Sequence, residues 1–213
     1  MNRKFVFTLL LFLFANLIFA QEEMNLIPRE ALFQEKEIQN VQISKDGQFI
    51  FYQKPGAEGL LYFRRTEQPD FERELVYDGY VQSWETTHNG SVIAVVREDT
   101  VSKVFYTPMR TRKHKDITPF PFTRLRFAGQ SAKFPNKTAV NITSKDKAKS
   151  GYYLLDLSTG KTKRLGRFSE YNQVWFNDMF IATAAIAPND LGGNTIYRKS
   201  DGQWFEVYGY PFD

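Results

Sequence analysis

Ile50-Phe51-Tyr52, followed shortly by Leu61-Tyr62-Phe63, decides the fold, because the pair returns three more times along the chain. The later copies of the first element are Ile93-Ala94-Val95, Ala139-Val140-Asn141 and Ile181-Ala182-Thr183. Those of the second are Phe105-Tyr106-Thr107, Tyr152-Tyr153-Leu154 and Thr195-Ile196-Tyr197. From Phe51 through Ala94 and Val140 to Ala182 the steps are 43, 46 and 42 residues. From Tyr62 through Tyr106 and Tyr153 to Tyr197 they are 44, 47 and 44. Two independent series keep one period, so accidental spacing in a β-sandwich is the poorer account. Short β-type segments repeating at roughly 40–50 residues are the signature of propeller blades, each a four-stranded antiparallel sheet.

Working outward from these markers, each unit divides into four strands. The first unit is Asn40 to Ser44, Phe49 to Lys54, Leu60 to Arg65 and Glu74 to Tyr77. The second is Val81 to Thr86, Val92 to Arg97, Lys103 to Met109 and Lys115 to Thr118. Leu125 to Ala128, Thr138 to Thr143, Tyr152 to Leu157 and Thr162 to Leu165 make the third; Gln173 to Phe176, Met179 to Ala185, Asn194 to Arg198 and Gln203 to Tyr208 make the fourth. Asp46-Gly47, Asn89-Gly90 and Asp201-Gly202 fall between strands, where turns need positive φ. The second strand of each unit is almost wholly apolar, as a strand buried between neighbouring blades should be. The expected fold is an all-β propeller of four-stranded antiparallel blades, about four of them and an incomplete ring, with approximate bounds 39–79, 80–119, 123–168 and 171–210. The one hint of helix is a possible turn at Arg29 to Glu35.

The first 20 residues do not join this pattern. Arg3 and Lys4 give a positive start, Phe5 to Ala20 is an apolar run of 16 residues, and Gln21-Glu22-Glu23 turns polar. This reads as a secretory signal peptide over 1–20, cut after Ala20, since the run is short of the roughly 20 residues that span a bilayer. No stable membrane anchor is then expected in the mature chain, and residues 21–38 form a lead-in segment. Removing 20 of 213 residues leaves 193, and the 28 basic residues fall to 26 against 24 acidic ones. A mature net charge of +2 gives no reason to expect a nucleic-acid partner. There is no Cys, so an exported chain of this composition must rely on an apolar core.

Several stretches resemble the propeller of secreted bacterial prolyl-oligopeptidase-family serine peptidases, the group that includes acylaminoacyl peptidases. Ile27-Pro28-Arg29-Glu30-Ala31-Leu32-Phe33 is similar to that family's opening IP-x-x-x-x-F. Ile43-Ser44-Lys45-Asp46-Gly47-Gln48-Phe49-Ile50 resembles its first-blade SPDGK turn, with Lys45 where Pro is usual. Phe134-Pro135-Asn136-Lys137 and then Tyr153-Leu154-Leu155-Asp156-Leu157-Ser158-Thr159-Gly160 look like its YxLDLxTG hairpin. Such turns occur in other propellers too, so it is their order and spacing from Ile27 to Asp213 that carries the resemblance. It implies a propeller of about seven blades ahead of an α/β-hydrolase domain, covering the catalytic cleft and restricting it to short or unfolded peptides. The chain then corresponds to a truncated or partial product, and its peptide substrates would be met through a catalytic domain that it lacks.

The residues of the chain itself encode no catalyst. A hydrolase of that type needs Ser on a G-x-S-x-G elbow, then Asp, then His. The nearest stretch, Gly129-Gln130-Ser131-Ala132-Lys133, has Lys in place of the second Gly and reads as a loop between strands. His88 in a turn and His114 in a basic run read as solvated side chains. Two isolated His without Cys give no zinc spacing, and the lone loop carboxylates give no calcium loop. No catalytic, cofactor-binding or metal residue is therefore assigned, and no cofactor is expected. The basic run Arg110-Thr111-Arg112-Lys113-His114-Lys115 reads as an exposed hairpin whose charge discourages edge pairing, against an alternative of binding an anionic ligand. Trp84, Trp175 and Trp204 read as core residues between blades. Two functions follow: a non-catalytic propeller segment that gates and positions peptides for a C-terminal hydrolase domain, or a self-standing four-bladed exported propeller that binds a protein or glycan.

Overall fold

The computed structural model describes residues 37–212, which form four four-stranded antiparallel sheets, each made of four consecutive strands. The signal peptide, most of the lead-in segment and the possible turn at 29–35 lie outside the described residues. Blade 1 holds β1 (Gln39–Ile43), β2 (Phe49–Gln53), β3 (Leu60–Arg65) and β4 (Gln68–Val76). Blade 2 holds β5 (Tyr80–Thr86), β6 (Val92–Glu98), β7 (Val101–Thr107) and β8 (Lys115–Asp116). Blade 3 holds β9 (Arg124–Gln130), β10 (Lys137–Thr143), β11 (Gly151–Asp156) and β12 (Thr162–Gly166). Blade 4 holds β13 (Gln173–Phe176), β14 (Ala182–Pro188), β15 (Asn194–Ser200) and β16 (Gln203–Tyr210). The sheets are not closed into a ring; among the described residues no apolar core joins blade 4 back to blade 1.

A second repeat, not visible in the apolar pattern, fixes the first hairpin of each blade. The residue that follows each first strand is Ser44, Thr87, Ser131 or Asn177, and its side-chain oxygen accepts a backbone amide from the turn ahead. Ser44 Oγ takes the Phe49 amide at 2.9 Å, Thr87 Oγ1 the Ser91 amide at 3.0 Å, and Ser131 Oγ the Lys133 amide at 3.1 Å. Asn177 Oδ1 takes two amides, of Met179 at 2.9 Å and Ile181 at 3.1 Å. Short polar side chains that bond the backbone a few residues on are natural turn makers. At the Asp201-Gly202 turn both residues have positive φ, 50° and 80°, which matches the right-handed twist of a two-residue hairpin.

Three apolar cores hold successive blades together. Phe51, Leu61, Phe63 and Leu75 of blade 1 meet Val81, Trp84, Val92 and Ala94 of blade 2. Ile93, Val95 and Val104 of blade 2 meet Val140, Ile142 and Leu155 of blade 3. Tyr152 of blade 3 meets Val174, Ala182 and Ala185 of blade 4, with Phe168, Tyr171 and Trp204 packed alongside. The second strand of blade 2 thus spends alternate residues on opposite neighbours, Val92 and Ala94 one way and Ile93 and Val95 the other.

Three expectations are corrected and a fourth is refined. The second strand of blade 4 begins at Ala182 and not at Met179, because Asn177 ties up the Met179 and Ile181 amides and Phe180 takes a left-handed turn with φ 57°. Trp175 is 38% exposed: its register pairs it with Ala184, and that row continues through Arg198 to Phe205 on the side away from blade 3. β4 runs from Gln68, much earlier than expected, because Thr66 and Glu67 alone turn β3 back on itself. His114 is exposed as expected, but both of its ring nitrogens bond to protein and link two blades, as described below.

The two terminal faces differ in chemistry. On blade 1, Tyr52 stacks on Tyr62 at 5.9 Å, and Glu72 accepts from Tyr52, from Lys54 at 2.6 Å and from Arg64 at 3.1 Å. The hydrogen bonds from Lys54 and Tyr52 hold the Glu72 carboxyl down at about 2, against burial that opposes them.

Two measurements check this packing. Phe51 is fully buried with ring centroids 6.0 Å from Phe49 and Trp84 and 5.8 Å from Phe63. Phe51→Ala should cost about 3–5 kcal/mol in denaturant unfolding, whereas Leu191→Ala, 71% exposed, should stay within about 0.5 kcal/mol. Glu72 has a depressed folded-state pKa, so its contribution is present above the ordinary carboxylate range and lost as pH falls toward about 2. Glu72→Gln should cost up to about 1 kcal/mol at pH 7, since its partners are partly solvated. That difference from the parent should shrink as pH falls from the ordinary carboxylate range through about 2; a pH-independent difference would contradict it.

Candidate functional site

The first strands of the blades lie beside one another and form the wall that a propeller turns toward its axis. There a cavity of about 590 Å³ is lined by Gln42 and Ile43 of β1, Glu85 and Thr86 of β5, and Phe127 to Gln130 of β9. Lys45 and His88 reach it from the two turns that follow β1 and β5. Hydrogen bonds between blades set its geometry. Gln130 Nε2 donates to Glu85 Oε2 at 2.9 Å and to the Thr86 carbonyl at 2.8 Å. Gln42 Nε2 donates to the Trp84 carbonyl at 3.3 Å, and Ser131 Oγ to the Asp178 carbonyl at 2.8 Å.

Among the described residues, Glu85 is the one acidic group that lines this cavity. Burial pushes its carboxyl above the ordinary carboxylate value, while the Gln130 hydrogen bond and the charge of Lys45 pull the other way. The chemistry on offer is recognition: an acid, two carboxamides, an ammonium and an imidazole that can pair with the amides and charges of an extended chain. Sequence reasoning missed Glu85 and Gln130 as site residues. Gln42 and Glu85 each stand two residues before the hydroxyl that caps their turn, so that cap repeat was the signal that would have found them. The Gly129-to-Lys133 stretch is a loop only from Ser131 onward, because Gly129 and Gln130 still belong to β9.

The hydroxyl–imidazole pair in the described residues is Thr107 with His114, at 2.8 Å. It is built as a latch. His114 Nε2 donates to the Val76 carbonyl of blade 1 at 2.8 Å, so its Nδ1 is the lone-pair nitrogen and accepts from Thr107. Thr107 Oγ1 in turn lies 3.2 Å from the Tyr77 hydroxyl, and the imidazole stacks on the Tyr77 ring at 4.2 Å. Burial raises the Tyr77 phenol to about 12 and Thr107 is fully buried, so this hydroxyl meets no substrate. His88 lines the axial cavity. Of the basic run, Lys115 donates to the Ser158 carbonyl of blade 3, while Arg110 and Arg112 line a cleft toward blade 1. Among the described residues no three His, Cys, Asp or Glu side chains gather as metal ligands.

No model of a known protein family matches the chain. A curated relative, dipeptidyl aminopeptidase BIII of Pseudoxanthomonas mexicana, is 26% identical over 197 residues, covering 88% of this chain and 28% of its own length. The chain therefore spans little more than a quarter of that relative. Among solved structures, TolB from Acinetobacter baumannii superposes with a TM-score of 0.55 at 11% identity, over 79% of this chain and 42% of its own. A TolB-like protein from Agrobacterium tumefaciens gives 0.53 at 15% identity, over 81% and 62%. A puromycin hydrolase gives 0.51 at 14% identity, over 83% and 29%. The structural likenesses establish a propeller fold, and the sequence match with the dipeptidyl aminopeptidase supports reading the chain as the propeller portion of a prolyl-oligopeptidase-family serine peptidase.

Proposed function

We propose that this chain is the non-catalytic propeller segment of an exported serine peptidase, gating and positioning peptide substrates for an α/β-hydrolase domain. The observation that carries the reading is the match to a dipeptidyl aminopeptidase across 88% of the chain but only 28% of that relative. The axial wall supports it: Glu85, Gln42 and Gln130 offer polar groups where a peptide on its way to a catalytic domain would pass. The open arc of sheets favours a segment of a larger ring over a self-standing four-bladed binder. Export rests on the signal-like start, and peptides are the partner class.

The first test is the size of the native gene product, by immunoblot of its host with an antibody against this segment. A band several times heavier than 24.8 kDa is expected. A band just below that mass would overturn the reading and favour the self-standing propeller. The heavier product should hydrolyse peptides and lose that activity to a serine-directed phosphonate, whereas the 213-residue chain alone should show none. N-terminal sequencing of the exported protein should begin at Gln21; an N-terminus at Met1 would contradict export by a cleaved signal.

A further inference from the structure

Where blade 1 meets blade 2, toward their outer strands, a cleft of about 200 Å³ gathers four arginines: Arg65 of β3, Arg73 of β4, and Arg110 and Arg112 of the turn between β7 and β8. Among the described residues no acidic side chain lines it. Among the described residues, the ion pairs are Lys54 and Arg64 with Glu72, Lys103 with Glu98, and Lys149 with Asp146, and none of them includes one of these four guanidiniums. All four side chains are exposed, and like charges gathered around one cleft repel one another. A protein surface that holds four of them together has a standing preference for an anion.

The cleft has a second chemical character. Its floor is aromatic: Phe49 and Phe63 are buried and meet edge to face at 6.0 Å and 70°. Phe71, which also lines the cleft, is 69% exposed. The turn that carries Arg112 is fixed, with the Pro108 carbonyl accepting the Thr111 amide at 3.2 Å and the Arg112 amide at 2.8 Å. Arg112 itself sits at φ 54°, a left-handed conformation that a branched or bulky side chain pays to adopt and that glycine adopts freely. The sequence places a strained arginine where a glycine would serve the turn.

We propose that this cleft is a binding site for a small anion with an aromatic body, an aryl phosphate or aryl carboxylate. Guanidinium forks match the oxygens of either group in paired hydrogen bonds, and they also stack on rings. A volume of 200 Å³ equals about seven waters at roughly 30 Å³ each, enough for one ring and its acid group but not for a nucleotide. The inference stands apart from the axial wall and does not depend on the peptidase reading.

The test is equilibrium binding to the full chain immobilised on a surface, with phenyl phosphate, inorganic phosphate and phenol as probes. Phenyl phosphate should bind about tenfold or more tightly than inorganic phosphate, phenol should not bind measurably, and added salt should weaken the phosphate probes. Arg112→Gly suits the turn and removes one fork, so it should lower phenyl phosphate affinity about tenfold or more with an unchanged melting temperature. Arg73→Gln, on the other blade, should do the same. Absence of phenyl phosphate binding to the parent chain would overturn the site. So would variants that both bind phenyl phosphate as tightly as the parent chain, and inorganic phosphate binding as tightly as phenyl phosphate would overturn its aromatic part.

Discussion

A four-stranded sheet has two faces and can cover neither by itself, so each blade depends on a neighbour to bury its apolar rows. Three such burials occur here, and they explain the nearly all-apolar second strands. β6 sends Val92 and Ala94 into the core with blade 1 and Ile93 and Val95 into the core with blade 3. A strand that serves two cores has no polar face to spare. Polar links then set the angle between blades. Gln130 ties β9 to β5, Gln42 ties β1 to β5, and His114 ties the outer end of blade 2 to the Val76 carbonyl of blade 1.

The same dependence leaves two faces over, and the chain treats them differently. The outer face of blade 1 is self-satisfied: Tyr52, Lys54 and Arg64 close on Glu72, and Tyr62 lies under the Lys54 ammonium at 4.4 Å. The outer face of blade 4 carries Trp175, Phe205 and Tyr208, all more than a third exposed, in rows with Ala184, Ile186 and Ile196. A face of that composition fits continued stacking of sheets, which is how larger propellers are built.

The repeat made the four sheets legible, because period and apolar alternation both follow from the demand that every blade be buried on its neighbours. Most strands fell within a few residues of their expected bounds. What failed to read were effects of single side chains on the backbone. Asn177 delays β14, and nothing in the apolar pattern of Met179 to Ala185 betrays that. Trp175 looked like core because a Trp on a first strand usually is; its register, one residue out of step with buried Val174, sends it outward. The axial wall was hidden for another reason: Glu85 and Gln130 lie far apart in sequence, and only blade-to-blade stacking brings them to 2.9 Å. His114 and the four-arginine cleft share that cause, since each draws residues from two blades.

The central claim is that these four sheets are an open run whose last face is made to be covered. Sedimentation of the purified chain, with its thermal melt, tests it most directly. The account predicts concentration-dependent self-association that polar substitution at Trp175, Phe205 and Tyr208 suppresses. A monodisperse, cooperatively melting monomer, unaffected by those substitutions, would contradict it.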